Sequence, residues 1–558
     1  MNQSRAFAVL RSHNFQALIS ISVVATALYR IYYVPKLVTD DWAQLIAYNI
    51  FNTMRWFTWP SHRPLHWMPY KAVYTLFGLN PHWFHAINLL IYIGVFLLIF
   101  LLMERLFPDQ YPFALVVALL AMVYPADFTM SWINMISHRL SWLLGLVGML
   151  LLIDYALKGG VVRVILSALI MFISLLIYEG ALGVLIAWIF LLAMIYRHLD
   201  RKRWLALLTP ITIIIPYIWL RLFYLPKIQK GGPNLMMFNQ LTTAELLRRL
   251  GGIGVLIESW SQPFHIWLRG LTLLGLSNEV LVIGIILVMG FFALSAFLLI
   301  RAIRINHSIA RTDKECSQTA KRYCLTSIFA VGFILAGYIP IIFMYQPNLE
   351  ETVTRANMYA IPAAAVLIVA LTSLVILGMT PNKKHWQVLL CLTILPLILI
   401  GCGVRLDVQK LGMVAWTKQE VICQKLFELA PDLKDGTTVV FILRGRSEMI
   451  YGHLPIYAEW EATSALQVLY QNPTLNGLIY SPEMALYSEA AIKRFGVVRF
   501  LDKKTIPFDQ IVFVQYNIRT GRLHIIDTMP AYPEYDPWPR IFATSDKIWK
   551  YRYLVDGE

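Results

Sequence analysis

The sequence predicts a polytopic α-helical membrane protein, with about 11 transmembrane helices and a C-terminal extracytoplasmic α/β domain. Three observations predict it. The 558 residues are 58% hydrophobic and only 15% charged, a profile foreign to soluble globular chains of this length. Apolar windows of about 20 residues, the length that crosses a bilayer core, recur through residues 1–404. From residue 405 onward the pattern changes to short strand-like runs separated by helical ones.

Charge follows the same division. Residues 405–558 hold 18 Lys/Arg and 18 Asp/Glu, so the whole net charge of +15 falls in residues 1–404. Basic loops beside anionic headgroups, or pockets for phosphate, account for that excess. Its scatter among hydrophobic spans argues against a nucleic-acid partner. The five cysteines, Cys316, Cys324, Cys391, Cys402 and Cys423, form neither a disulfide framework nor a metal-ligand spacing.

Taken in order, the expected spans are 16–36, 84–104, 112–127, 140–156, 161–178, 181–196, 204–224, 278–300, 323–345, 357–379 and 386–404. The first follows a short basic N-terminus and is too long for a signal-peptide core, so it reads as an uncleaved span. The stretch 251–276 carries Glu258, Gln262, Pro263 and Arg269 in its interior and reads as a re-entrant or interfacial helix. The segments 197–203, 301–322 and 381–384 are short and densely basic, which places them and the N-terminus in the cytoplasm. Eleven spans then leave the C-terminal region outside. These features describe a multi-pass protein of a bacterial or archaeal plasma membrane. Residues 1–404 form its transmembrane domain and 405–558 its small soluble domain. In the latter, 437–443, 477–481, 497–501, 510–517 and 522–528 read as strands. Helical patterns cover 414–430, 458–471 and 484–495, and Thr520-Gly521 marks a hairpin turn.

The candidate chemistry gathers on the outward side. Asp40 and Asp41 stand directly after the first span, where an acidic pair is costly unless it binds something. The same loop holds Arg63 and His66; the next outward loop holds His138 and Arg139. Tyr178 and Glu179 lie at the outer end of the fifth span, Lys227 in the loop from 225, and Arg355 before the tenth span. Carboxylates with Arg and Lys on one side suit a site that activates a nucleophile and holds an anionic leaving group. They also suit a divalent cation held by oxygen ligands, Mg²⁺ or Mn²⁺. Each residue has a plainer role open to it. Asp40-Asp41 can cap the amphipathic helix that begins at Trp42. Arg63, Arg355 and the tryptophans Trp56, Trp59, Trp67 and Trp83 can be interfacial anchors. His138 and Arg139 can snorkel. Glu179, set between apolar segments, requires a cation or a proton.

The order of these motifs resembles the C-type glycosyltransferase (GT-C) fold of integral membrane enzymes, which includes protein O-mannosyltransferases and the aminoarabinose transferase family. The likeness rests on Asp40-Asp41 after the first span, on HRPLHWMPYKAVYTLFGLNPHWFHAINLLIY (62–92) and on YPADFTMSWINMISHRLSWLLGL (124–146). It rests also on YEGAL (178–182) and ETVTRANMYAIPAA (351–364), and spans roughly residues 15–405. Many members carry Asp-Glu where this chain has Asp-Asp.

The resemblance implies transfer of a sugar from a polyprenyl-phosphate-linked donor to a glycan, lipid or protein acceptor on the extracytoplasmic face, with inversion. By position, it implies Asp40 as the catalytic carboxylate, with Asp41 its partner and the candidate metal ligand. Arg63, Arg139, Arg355 and Lys227 would bind the donor phosphate; His66, His138, Tyr178 and Glu179 would line the substrate site. A membrane transporter or lipid-handling scaffold is the alternative. It predicts inverted repeats and broken paired helices, which the sequence does not display.

Overall fold

The computed structural model describes residues 13–30, 41, 63–108, 110–127, 129–130, 132–183, 185–186, 189, 201–219, 252–260, 313–342, 354–379, 383–444, 459–481, 490–499, 503–529, 533 and 535–544. Its membrane part is a bundle of α1 (His13–Arg30), α3 (Pro81–Leu106), α4 (Tyr111–Val123), α5 (Ile136–Lys158), α6 (Val161–Ile177), α7 (Arg201–Trp219), α8 (Asp313–Ile342), α9 (Ile361–Met379) and α10 (Lys383–Leu429). The surface helix α2 (Met68–Phe77) precedes α3. Among the described residues five helices are long and apolar enough to cross a membrane, and three shorter apolar helices accompany them. The expected eleven spans are therefore not all recovered. Residues 278–300 and most of 181–196 lie outside the described residues, and α7 carries Pro210 and Pro216 inside the helix.

The short α4 positions the site. Its 13 residues rise only about 20 Å, against a hydrocarbon layer of about 30 Å. The loop that follows therefore enters the bundle interior, where Asp127, Thr129 and Asn134 are buried. α4 packs against α3, α9 and α10. Gly401 of α10 rests on the α4 backbone, and a Cβ there would run into the Val123 carbonyl. Gly401→Ala is expected to destabilise the protein by about 1–3 kcal/mol through this clash. An unchanged thermal midpoint in detergent would show that the two helices do not meet there.

α10 runs unbroken for 47 residues, about 70 Å. It joins the expected span 386–404 and the expected helix 414–430 into one rod. Beyond the apolar segment, Ile422, Cys423 and Leu426 pack into the α/β core. That core is a four-stranded sheet in the order β3 (Asn476–Tyr480), β2 (Thr438–Arg444), β7 (Ile511–Asn517), β8 (Arg522–Ile525), while β1 (Asp432–Leu433) and the strands β4 (Ala490–Lys493), β5 (Gly496–Arg499) and β6 (Thr505–Ile506) belong to smaller sheets. β2 pairs parallel with both neighbours, Val440 facing Leu478 on one side and Phe513 on the other. Its apolar run TVVFIL is buried throughout, as a central parallel strand requires. Helix α11 (Glu459–Leu469) lies between β2 and β3 in the chain and packs on β3. β7 and β8 form the hairpin expected around Thr520-Gly521.

The helix expected over 484–495 is corrected in part. Residues 490–493 form a strand, antiparallel to 496–499, and 482–489 lie outside the described residues. The hairpin wins because Gly496 adopts φ +148°, and its bare Cα sits against the Ile506 carbonyl where no side chain fits. Tyr70, Val73, Phe84, Ile133 and Ile136 share one buried apolar cluster with Val439, Phe441 and Val512. The α/β domain thus sits on the end of the bundle where α3 and α5 begin.

Candidate active site

The functional side chains gather at that same end because the helices alternate in direction. α6 stops at Ile177, where Tyr178 turns to extended backbone (φ −158°, ψ 131°) and a short 3-10 turn, Glu179–Ala181, follows. A turn over residues 63–67 docks on it through the Leu65 N–H, which donates to the Leu176 carbonyl at 3.0 Å. This contact brings Arg63 to Glu179. The guanidinium donates twice, Nε to Oε2 at 2.8 Å and Nη2 to Oε1 at 2.7 Å. It also lies over the Tyr178 ring, 4.1 Å from the centroid. Burial alone would lower the Arg63 pKa, but the Glu179 carboxylate and the Tyr178 ring outweigh it and hold it above its ordinary value.

Aromatic rings surround this pair. The His138 ring lies 3.8 Å from that of Tyr178, and His66 lies 6.1 Å from His138. Tyr359 stacks on the other side of Tyr178 at 6.3 Å, with Trp142 edge-on to it at 6.0 Å. Neither His138 Nδ1 nor the Tyr359 hydroxyl has a hydrogen-bond partner among the described residues. Arg355 is half-buried in the 3-10 segment Thr354–Tyr359, which packs against the Glu179–Ala181 turn. Arg63, His66, His138, Tyr178, Glu179 and Arg355, scattered over nearly 300 residues of chain, therefore form one cluster.

Asp41 joins it through the 132–138 loop. Its carboxylate is fully buried and accepts the Asn134 N–H at 2.8 Å. The Tyr70 hydroxyl donates to the Asn134 carbonyl and accepts the Ser137 N–H at 3.3 Å. Ser137 Oγ donates to the His66 carbonyl at 2.7 Å. Burial, with Asp41 adding to it, keeps the Tyr70 phenol well above its ordinary pKa, so it remains a donor. Asp40 and Lys227 lie outside the described residues.

Arg139 faces another way. It is 1% exposed and donates to Asn88 Oδ1 (2.6 Å), the Met130 carbonyl (3.0 Å) and the Thr129 carbonyl (2.6 Å). Asn88 Nδ2 also donates to the Trp132 carbonyl at 3.1 Å, and the Tyr29 hydroxyl shares a hydrogen bond with His85 Nδ1 at 2.7 Å. Arg139, expected at the donor phosphate, thus holds the 127–132 loop against α3.

Sequence reasoning passed over Tyr70, Trp142, Tyr359, Asp127 and Arg405, and named Asn134 only as one polar residue of the second outward loop. Two of these carried a signal. Asp127 is the single carboxylate in its loop, and Arg405 breaks the end of an apolar run. The others look like ordinary interfacial aromatics and amides. Among the described residues no group of three or more His, Cys, Asp or Glu side chains could hold a metal ion. Asp41 is the candidate ligand described, and one of its oxygens is already engaged by Asn134.

No protein-family model matches the chain, and no curated protein matches it. Among solved structures it is similar to ArnT from Cupriavidus metallidurans in the apo state, at 12% identity and TM-score 0.38, over 89% of this chain and 92% of that one. It is also similar to ArnT from Cupriavidus metallidurans bound to undecaprenyl phosphate, at 12% identity and TM-score 0.34, over 85% and 95% of the two chains. At such TM-scores the likeness carries no argument about this chain.

Proposed function

We propose that the chain is a membrane glycosyltransferase. It moves a sugar from a polyprenyl-phosphate donor to a glycan, lipid or protein acceptor on the extracytoplasmic face. The observation that carries this reading is the joining of Asp41, one carboxylate of the acidic pair, to a cluster of arginine, histidine and tyrosine, through Asn134, Tyr70 and Ser137. An acid–base group beside cations and aromatic faces is what transfer from a phosphate-linked sugar needs.

In this mechanism Asp40 takes the proton from the acceptor as its heteroatom attacks the anomeric carbon. The bond from that carbon to the phosphate oxygen breaks on the opposite face, so configuration inverts. Polyprenyl phosphate leaves with the electron pair. Arg355 offers its guanidinium to the phosphate, which gains charge as the bond breaks. Arg63 is already committed to Glu179, and the pair fixes the Tyr178 face against which a sugar ring can lie. Asp41 anchors the acidic loop to the Asn134 N–H. Arg139 serves the loop rather than the donor.

Purified protein in lipid nanodiscs is expected to bind polyprenyl phosphate and to release it from a polyprenyl-phosphate sugar. Arg355→Ala is expected to weaken that binding about 10- to 100-fold, the loss of a charge-assisted hydrogen bond. Equal binding by both proteins, with no donor consumed across a panel of polyprenyl-phosphate sugars, would overturn the reading.

A further inference from the structure

A second polar group occupies the bundle interior, apart from the Arg63–Glu179 cluster. It comprises Asp127 in the loop after α4, Arg139 in α5 and Arg405 in α10. These three line a small cavity with Tyr92, Trp142 and Met358, with room for about one water-sized atom. Arg405 and Asp127 are almost wholly buried, yet Arg405 Nη1 stands 3.6 Å from Asp127 Oδ2, beyond hydrogen-bond length. The other carboxylate oxygen, Oδ1, is turned to Thr129, accepting its N–H at 2.9 Å and its hydroxyl at 2.6 Å. Arg405 Nε and Nη1 and Trp142 Nε1 have no hydrogen-bond partner among the described residues. Three N–H groups from two helices are therefore left over around one cavity.

The charge count points the same way. Among the described residues two guanidinium groups, Arg139 and Arg405, line the cavity with one carboxylate, Asp127. Counted over the described residues, the group carries one positive charge in excess in an apolar bundle. A buried charge in that condition is expensive, and so is each unsatisfied donor. A water molecule could accept from the donors but would leave the charge. A monatomic anion answers both needs, and the cavity has room for about one atom. A lipid phosphate, with its oxygens and tail, does not fit a space for one atom.

We propose that Asp127, Arg139, Arg405 and Trp142 form a buried halide site, occupied by chloride, that ties α10 to α5 and to the loop after α4. Trp142 also touches Tyr359 of the aromatic set around Tyr178, but none of the four residues carries a step of the transfer mechanism, so the site stands or falls independently of the proposed activity.

The test uses the full chain in detergent. Its unfolding midpoint is measured in sodium chloride, sodium bromide and sodium gluconate at equal ionic strength. Chloride and bromide are expected to raise the midpoint by several degrees over gluconate, increasing with halide concentration, as binding to the native state requires. Crystals grown in bromide are expected to show an anomalous peak between Arg405 and Trp142. Arg405→Gln is expected to abolish the halide dependence. Should that variant fail to fold, Trp142→Phe keeps the ring, removes one donor, and is expected to shift the dependence to higher halide concentration. Identical midpoints in the three salts, or a bromide-soaked site with no anomalous signal, would overturn the proposal and assign the cavity to water. A halide effect undiminished in both variants would overturn it equally, by placing the binding elsewhere.

Discussion

Asp40→Asn is expected to lower sugar transfer by about 10²- to 10⁴-fold, the usual contribution of a positioned general base. The substitution keeps side-chain size and removes the group that can take a proton. Expression, detergent stability and binding of polyprenyl phosphate are expected to stay at wild-type level, because the phosphate is assigned to Arg355. The neighbouring carboxylate supplies a contrast. Asp41→Asn retains an oxygen that can accept the Asn134 N–H, so its loss of rate is expected to be smaller. Asp41→Ala leaves that buried donor unpaired and is expected to cost about 1–3 kcal/mol of stability. Initial rates with purified protein, alongside thermal midpoints, separate these outcomes. A wild-type rate for Asp40→Asn removes Asp40 from the chemistry.

Arg63→Ala is expected to destabilise the protein by nearly the 3–5 kcal/mol that is roughly typical when one partner of a buried ion pair is removed. The Glu179 side chain is 7% exposed and would lose the bidentate guanidinium that pairs with it. The Arg63 side chain is 23% exposed, which allows water some access and sets the expected value toward the lower end. Arg63→Met with Glu179→Leu removes both charges and is expected to recover most of the loss. The penalty in Arg63→Ala is also expected to shrink as pH falls. A buried carboxylate without a cation has a raised pKa, and once protonated it needs no partner. A double-mutant cycle in thermal unfolding measures the coupling directly. Single effects that simply add would mean that the bidentate pair contributes nothing.

The membrane class and the basic bias of residues 1–404 were legible because each depends on composition over a long window. The central strand was legible for a different reason: TVVFIL is a short β-branched apolar run, of the kind a central parallel strand buries on both faces. The helix expected over 484–495 was not, because a glycine 1 residue beyond that range decided the local outcome through a contact with residue 506. The unbroken α10 was missed at the point where its apolar character ends, since a helix needs no apolar side chains to continue. In the site, Glu179 announced its need for a cation but did not name Arg63, 116 residues earlier. Arg139 looked like a phosphate ligand because a lone arginine at a span end shows nothing of Asn88 and the loop carbonyls that occupy it.

By itself the sequence determined that this chain lives in a membrane, and that carboxylates, arginines and histidines fall at corresponding ends of its helices. Span length and helix alternation are one-dimensional properties, set by hydrocarbon thickness and the rise per residue. Which charges meet was decided only by the tertiary structure. The short α4 lets a loop into the bundle, and that loop ties Asp41 through Asn134, Tyr70 and Ser137 to the His66 turn, while Asp127 turns inward to Arg405. A buried charge takes its partner from whatever the packing brings within a few ångströms, and that neighbourhood is not written in local sequence. The acidic pair after the first span was conspicuous from the start; its connection to the arginine and histidine cluster was not.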